Sequence, residues 1–126
     1  MGCRASLYAK IEDKIHALYL HWEGHPDHVM PILTECYNDQ AKVQALFALG
    51  DLSYLDRSCE CPPGHSASNP VKGHTVAYAR DRDEEIRIRT YPDLIEARDH
   101  ENHGYEYSWD GTVWTYLDDK SVTRSK

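Results

Sequence analysis

The chain has 126 residues, a formal net charge of −7 and a mean hydropathy of −0.70. That length predicts one domain over residues 1–126. The acidic balance argues against general binding to a nucleic-acid backbone. No apolar run approaches the roughly 18 residues that a membrane span needs, so we expect no membrane association.

The first predicted element is a β-hairpin. Residues 5–10 and 15–22 read as two strands joined by a polar turn. On the second strand, Leu18 and Leu20 share one face while Ile15 and Tyr19 share the other. Because both faces carry bulky side chains, we expect this strand to lie in the middle of its sheet.

Two helices are predicted next. Asp27 is the expected N-cap of a helix that ends near Tyr37. A second helix spans residues 40–49, and Gly50 follows as its C-terminal glycine. Residues 51–55 then predict a short turn of helix.

The second half of the chain begins with a long loop at residues 57–73, which is rich in Pro, Gly and Ser. Strands are predicted at residues 74–79 and 86–91, with a charged segment between them. Pro92 suits the first position of a third helix that ends near Arg98.

The C-terminal hairpin has the clearest local signal, because Asp110-Gly111 is a favoured two-residue turn. A two-residue loop pairs, in order, Trp109 with Thr112, Tyr107 with Trp114, and Tyr105 with Tyr116. All six side chains would then share one face of the sheet. Residues 118–126 predict a frayed polar tail.

These elements together predict an α+β fold. The expected architecture is an antiparallel sheet of about four to six strands with two or three helices packed on one face. The free edge of the C-terminal hairpin, or that of the first strand, is then open to a second copy. Homodimerisation is therefore an expectation.

A candidate ligand site combines an arginine-rich hairpin with the loop after the second strand. Arginines beside aromatic rings can bind a phosphate and stack a base, although a charge run of this kind is also typical of a solvated, self-paired surface. The candidate residues are Trp22, Glu23, His25, Tyr78, Arg80, Arg82, Arg87 and Arg89.

Two catalytic or metal-binding alternatives are weaker. Cys59, Cys61 and His65 offer zinc-ligand chemistry, but the spacing departs from the usual paired cysteines. A loop containing His21, Glu23 and His25 offers acid–base groups, although structural roles in the turn and at the start of the helix explain most of its residues. We therefore expect no cofactor, no tightly bound metal and no enzymatic activity.

Four sequence strings occur in a specific order. They are His21-Trp22-Glu23-Gly24-His25-Pro26, Gly50-Asp51-Leu52-Ser53, Tyr78-Ala79-Arg80-Asp81-Arg82 and Tyr107-Ser108-Trp109-Asp110-Gly111. This order resembles a family of small phage-encoded accessory proteins, whose typical members have Asp, Tyr and Gly where this chain has Glu23, His25 and Asp83. A family tyrosine at the position of His25 argues against an obligatory ligand or base there. The resemblance implies no activity. It does imply a phage protein in the cytoplasm of an infected bacterium.

The sequence therefore predicts a stoichiometric binder that acts in host takeover or against host defence. It would occupy a host protein or sequester a small anionic, nucleotide-like ligand. The alternative is a small hydrolytic or metal-dependent enzyme that uses the His21, Glu23 and His25 loop or the Cys59, Cys61 and His65 loop.

Overall fold

The computed structural model describes residues 4–58, 63–65, 70–78, 89–101 and 104–117. Within them, the strands are β1 (Ala5–Ile11), β2 (Lys14–Trp22), β3 (Leu52–Tyr54), β4 (Val76–Ala77), β5 (Arg89–Tyr91), β6 (Tyr105–Trp109) and β7 (Trp114–Tyr116). The helices are α1 (Pro26–Cys36), α2 (Gln40–Phe47) and α3 (Leu94–Glu101). The α+β class is confirmed.

The strands form one sheet in the order β4-β3-β2-β1-β6-β7, and β5 pairs with the first half of β2. The sheet is mixed and not antiparallel throughout, because β3 runs parallel to β2 and β6 runs parallel to β1. The reason lies in the connections. Helices α1 and α2 carry the chain back across the sheet before β3 begins, and such a crossover yields a parallel pair.

Alternate residues of the central strands enter two separate cores. Leu7 and Leu18 belong to the larger one, which α1 and α2 cover. Tyr8 and Ala17 point to the other face, where they pack against Ala97 of α3. Two helices therefore lie on one face, as expected, and the third lies on the opposite face.

The N-terminal hairpin and the central position of β2 are confirmed. Strand β2 pairs with β1 on one side and with β3 and β5 on the other. Glu12 and Asp13 both have positive φ angles, 53° and 69°, as a tight two-residue hairpin turn requires. Strand β1 lies between β2 and β6, so the prediction that its edge is free for a second copy is wrong.

The helix boundaries follow the local chemistry with one correction. His25 is the N-cap residue of α1 and Pro26 opens the helix, so Asp27 lies in the first turn and is not the cap. Asp39 caps α2, because its side chain accepts a hydrogen bond from the Lys42 N–H. Gly50 has a φ of 79° after the end of α2. Glycine adopts this left-handed conformation readily because it has no Cβ atom.

The segment after α2 is a strand and not the predicted turn of helix. Leu52 pairs with Leu20, and Tyr54 pairs with Trp22. A segment this short has little local preference, and its backbone groups are satisfied by an existing strand edge.

The C-terminal hairpin has a longer loop than predicted. Trp109 pairs with Trp114, and Tyr107 pairs with Tyr116. The Asp110 side chain accepts hydrogen bonds from the N–H groups of Thr112 and Val113, which stabilises a four-residue connection. The cross-strand pairing is therefore shifted by two residues from the predicted pairing. Because strand side chains alternate with a period of two, the predicted shared aromatic face is confirmed for the paired residues.

The predicted loop at 57–73 contains described residues that are anchored to β4. Ser58 forms an isolated bridge with His74, and its carbonyl accepts a 2.7 Å hydrogen bond from the Thr75 N–H. The predicted tail, residues 118–126, lies outside the described residues.

Candidate functional site

The structure divides the predicted ligand site between two faces of the sheet. Trp22 follows the alternation of Leu18 and Leu20, on the side of the larger core. Arg89 pairs with Ala17, whose side chain lies on the opposite face. Trp22 and Arg89 therefore belong to two different grooves.

Three of the predicted arginines, Arg80, Arg82 and Arg87, lie outside the described residues. Tyr78 is described and half-buried, and its N–H donates to the carbonyl of Asp51. The pKa of Tyr19 lies above its ordinary value mainly because of burial; Arg4 opposes this effect, and Tyr78 and Asp51 add to it. Tyr78 and Arg89 therefore lie in the same region, because both donate hydrogen bonds to Asp51.

We call that region the arginine groove. It has a volume of about 480 Å³ and is lined by residues that include Arg4, Tyr19, Asp51, Arg89, Tyr91 and Glu101. The volume falls within the range of about 300–1,000 Å³ found for small-molecule sites. Strand β5, the end of α3 and Asp51, which immediately precedes β3, each supply part of this lining.

Arg89 is held in the arginine groove by two carboxylates. Its Nη2 and Nη1 atoms donate to Asp51 at 2.9 and 3.3 Å, and its Nε atom donates to Glu101 at 2.7 Å. Burial lowers the pKa of Arg89, but these hydrogen bonds and charges outweigh it and hold the pKa above its ordinary value. The side chain is 31% exposed, so part of it remains accessible from the groove.

Tyr91 extends the same network. Its hydroxyl group donates a short hydrogen bond to Glu101, whose side chain is only 4% exposed. Burial and the neighbouring Glu101 raise the pKa of Tyr91 to about 12. The ring of His100 stacks on Tyr91 with 5.5 Å between the centroids. Arg89 and Tyr91 therefore donate hydrogen bonds to the same oxygen of Glu101, and the His100 ring lies on Tyr91.

We call the second region the tryptophan groove. It has a volume of about 380 Å³ and is lined by residues that include Trp22, Tyr54, Asp56, Val71, Lys72 and His74. Trp22 is 44% exposed, whereas Trp109 and Trp114 are 1% and 7% exposed. Trp22 is therefore the tryptophan that a ligand can reach.

The loop beside the tryptophan groove is tightly anchored. The buried Tyr107 hydroxyl group donates to the carbonyl of Gly24, and His28 Nε2 donates to the carbonyl of Leu55 at 2.8 Å. Glu23 has a positive φ of 55°, which is uncommon for a residue with a side chain. Its carboxylate accepts a 3.0 Å hydrogen bond from His25 Nε2. Trp22 is thus presented from a rigid support.

The acid–base alternative is only partly assembled. Glu23 and His25 contact each other at the surface, while Nδ1 of His21 shares a 2.7 Å hydrogen bond with the hydroxyl group of Tyr19. That bond ties His21 to the side of the arginine groove. The three residues therefore do not act as one cluster.

The metal alternative depends on residues that are largely outside the described part of the chain, since Cys59 and Cys61 are not described. His65 is buried, its Nδ1 accepts from the Val71 N–H, and its Nε2 donates to the Thr75 carbonyl. Both ring nitrogens are thus engaged. Among the described residues, no group of three or more His, Cys, Asp and Glu side chains is placed to hold a metal ion.

Sequence reasoning missed several groove residues. Asp51 and Glu101 become binding-site neighbours only through the pairing of β5 with β2, and Lys72 and His74 come from the loop that precedes β4. The Gly50-Asp51-Leu52-Ser53 string included Asp51, and His74 was considered only as a possible fourth zinc ligand beside Cys59, Cys61 and His65. Neither signal indicated a groove.

Comparison with protein-family models, with curated proteins and with solved structures finds no match for this chain. Among the described residues, none of the helices is long and apolar enough to cross a bilayer.

Proposed function

We propose that this protein is a non-enzymatic, stoichiometric binder that holds a small, flat, anionic ligand of nucleotide type in the arginine groove. The phage resemblance of the sequence strings supports a role in host takeover or anti-defence, in the cytoplasm of the infected bacterium. The single observation that carries the proposal is the fixed, partly exposed guanidinium group of Arg89 among aromatic rings.

The geometry of Arg89 favours stacking. All N–H bonds of a guanidinium group lie in its plane, and three of the five point to Asp51 and Glu101. These bonds leave its two flat faces without hydrogen bonds. Arginine faces stack well on planar rings, and a held side chain loses little entropy when a ligand arrives.

The charge of the groove favours an anion more than the rest of the surface does. Arg4 and Arg89 balance Asp51 and Glu101, so these lining residues sum to zero while the chain carries −7. Arg4 is exposed and stands at the groove. It is therefore the residue that would meet the negative group of a ligand whose ring stacks on Arg89.

Calorimetric titration with adenosine monophosphate and with adenosine tests this proposal. We expect the monophosphate to bind more tightly, and Arg4→Gln to remove most of that difference while binding of adenosine is unchanged. Arg57→Gln is the matched control, because Arg57 is an exposed arginine that pairs with Glu35 away from the groove. Equal binding of both probes, or no effect of Arg4→Gln, would contradict the proposal.

Native mass spectrometry of protein isolated from host lysate identifies the natural ligand. We expect one small, ultraviolet-absorbing molecule per chain that is released on denaturation. If substoichiometric protein instead converts a lysate component, and if that turnover is lost with Glu23→Gln or His25→Gln, the protein is an enzyme and the binding proposal is wrong.

A further inference from the structure

The tryptophan groove is lined by a different set of groups from the arginine groove. Its described residues include the rings of Trp22 and Tyr54, the Asp56 carboxylate, the His74 imidazole and the Lys72 ammonium group, so the formal charges of this lining also sum to zero. We propose that this groove is a second binding site, which takes the guanidinium group of an arginine side chain from a basic polypeptide partner. This inference is independent of the ligand proposed for the arginine groove.

The aromatic part of the site consists of Trp22 and Tyr54. They are directly paired in the register of β2 and β3, so their side chains leave the sheet on the same face. Tyr54 is backed by the ring of His28, with 5.0 Å between the centroids. Tryptophan is the best of the aromatic residues for binding a cation over its face, and tyrosine follows it.

Asp56 is the carboxylate that lines the tryptophan groove together with Tyr54. Burial is the main reason that the pKa of Tyr54 lies above its ordinary value, and the negative charges of Asp56 and Glu23 raise it further. The adjacent Arg57 does not neutralise Asp56, because its guanidinium group pairs with Glu35 at 2.8 Å. The carboxylate of Asp56 accepts a 2.8 Å hydrogen bond from the Arg57 N–H, and Lys72 is the cation that shares its groove.

His74 supplies a further acceptor. Its Nδ1 atom is buried without a hydrogen-bond partner among the described residues, whereas both nitrogens of the neighbouring His65 are bonded. An unpaired buried N–H group is less well tolerated than an unpaired acceptor, so we place the proton of His74 on Nε2. Because Nδ1 is covered, the ring has to turn about its Cβ–Cγ bond to accept a hydrogen bond from a ligand.

A guanidinium group satisfies these features together better than an ammonium group does. It is flat enough to lie on the Trp22 ring, and its five N–H groups can reach a carboxylate and an imidazole nitrogen at once. Among the described lining residues, Lys72 carries the charge that opposes such a ligand, and its side chain is exposed. A basic partner would also be attracted by the net charge of −7.

The fluorescence of Trp22 provides a direct test. The probe is a capped Gly-Arg-Gly tripeptide, and the control is the same peptide with citrulline, which is neutral and nearly isosteric. We expect the arginine peptide to change the emission of the exposed tryptophan and to protect it from acrylamide quenching. The citrulline peptide should bind at least about fivefold more weakly, as loss of a cation–π contact and a charge pair implies. Trp22→Phe removes the signal and identifies its source.

Variants that change the charge of the groove then test whether the ligand is positively charged. Asp56→Asn should weaken binding of the arginine peptide, while Lys72→Gln should strengthen it because a repelling charge is removed. Asp99→Asn, an exposed acid on α3, is the control for net charge, and Arg4→Gln should have no effect. Equal binding of the citrulline peptide, weaker binding with Lys72→Gln, or tighter binding of free arginine than of the capped peptide would each overturn the inference.

Discussion

At the scale of single residues, the least expected feature is a charged pair inside the smaller core. Glu106 is fully buried and Arg98 is 3% exposed. Arg98 donates from Nε and Nη2 to one oxygen of Glu106 at 2.9 and 2.7 Å, and Tyr8 donates to the other oxygen at 2.7 Å. Burying charges is costly, so the pair is stable only while its hydrogen bonds are complete.

We therefore expect Glu106→Gln to lower the free energy of unfolding by about 3–5 kcal/mol, because it leaves the Arg98 charge uncompensated. Urea denaturation followed by circular dichroism measures the change. The control is the double variant Arg98→Met with Glu106→Leu, which removes both charges and should lose less stability than Glu106→Gln alone. A double variant that is the less stable of the two would contradict this explanation.

At the scale of elements, the approach of β6 to β1 depends on a glycine. The Tyr105 N–H donates to the Arg4 carbonyl at 3.1 Å, and a Cβ atom at Gly104 would lie 2.6 Å from that carbonyl oxygen. Gly104 also has a φ of 93°, which side-chain residues rarely adopt. The parallel pair β1–β6 therefore starts at a position where backbone conformation and close contact both require glycine.

Gly104→Ala and Gly111→Ala separate these two requirements. Both residues have positive φ angles, 93° and 105°, but a Cβ atom at Gly111 would meet nothing within 4 Å. We expect Gly111→Ala to cost about 1–3 kcal/mol of stability through backbone strain alone. Gly104→Ala should cost more, because the collision with Arg4 adds to the same strain. Equal midpoints in thermal denaturation would show that β6 can shift away from Arg4 at no cost.

At the scale of the whole molecule, the described part of the sheet ends at β7. Thr115 of this strand is exposed, and Val113 beside it is 52% exposed. The outer backbone groups of an edge strand are a template for pairing with another chain. Homodimerisation through β7 therefore stays a prediction, whereas dimerisation through β1 is excluded by its position between β2 and β6.

Light scattering after size exclusion measures this association. We expect a dimer at high protein concentration, and a monomer after Thr115→Lys, since a charge on an edge strand opposes pairing. Lys42→Thr, an exposed change on α2, serves as the control. A wild-type protein that stays monomeric at every concentration would rule out the β7 interface.

The sequence by itself determined the features that depend on neighbouring residues. The turn between β1 and β2, the start of α2 at residue 40 and the shared aromatic face of the last hairpin all follow from local geometry and from alternation. The α+β class follows from the same patterns, because strand-like and helix-like periods are short-range properties.

Only the tertiary structure decided how distant segments meet. Leu52–Tyr54 became a strand because the edge of β2 was available. Trp22 and Arg89 are separated because their side chains leave the sheet on opposite faces. The two grooves therefore combine residues that are far apart in sequence, such as Arg4 with Arg89 and Trp22 with His74. No local pattern specifies such neighbours, because they are selected by the global burial of apolar surface and by the satisfaction of backbone hydrogen bonds.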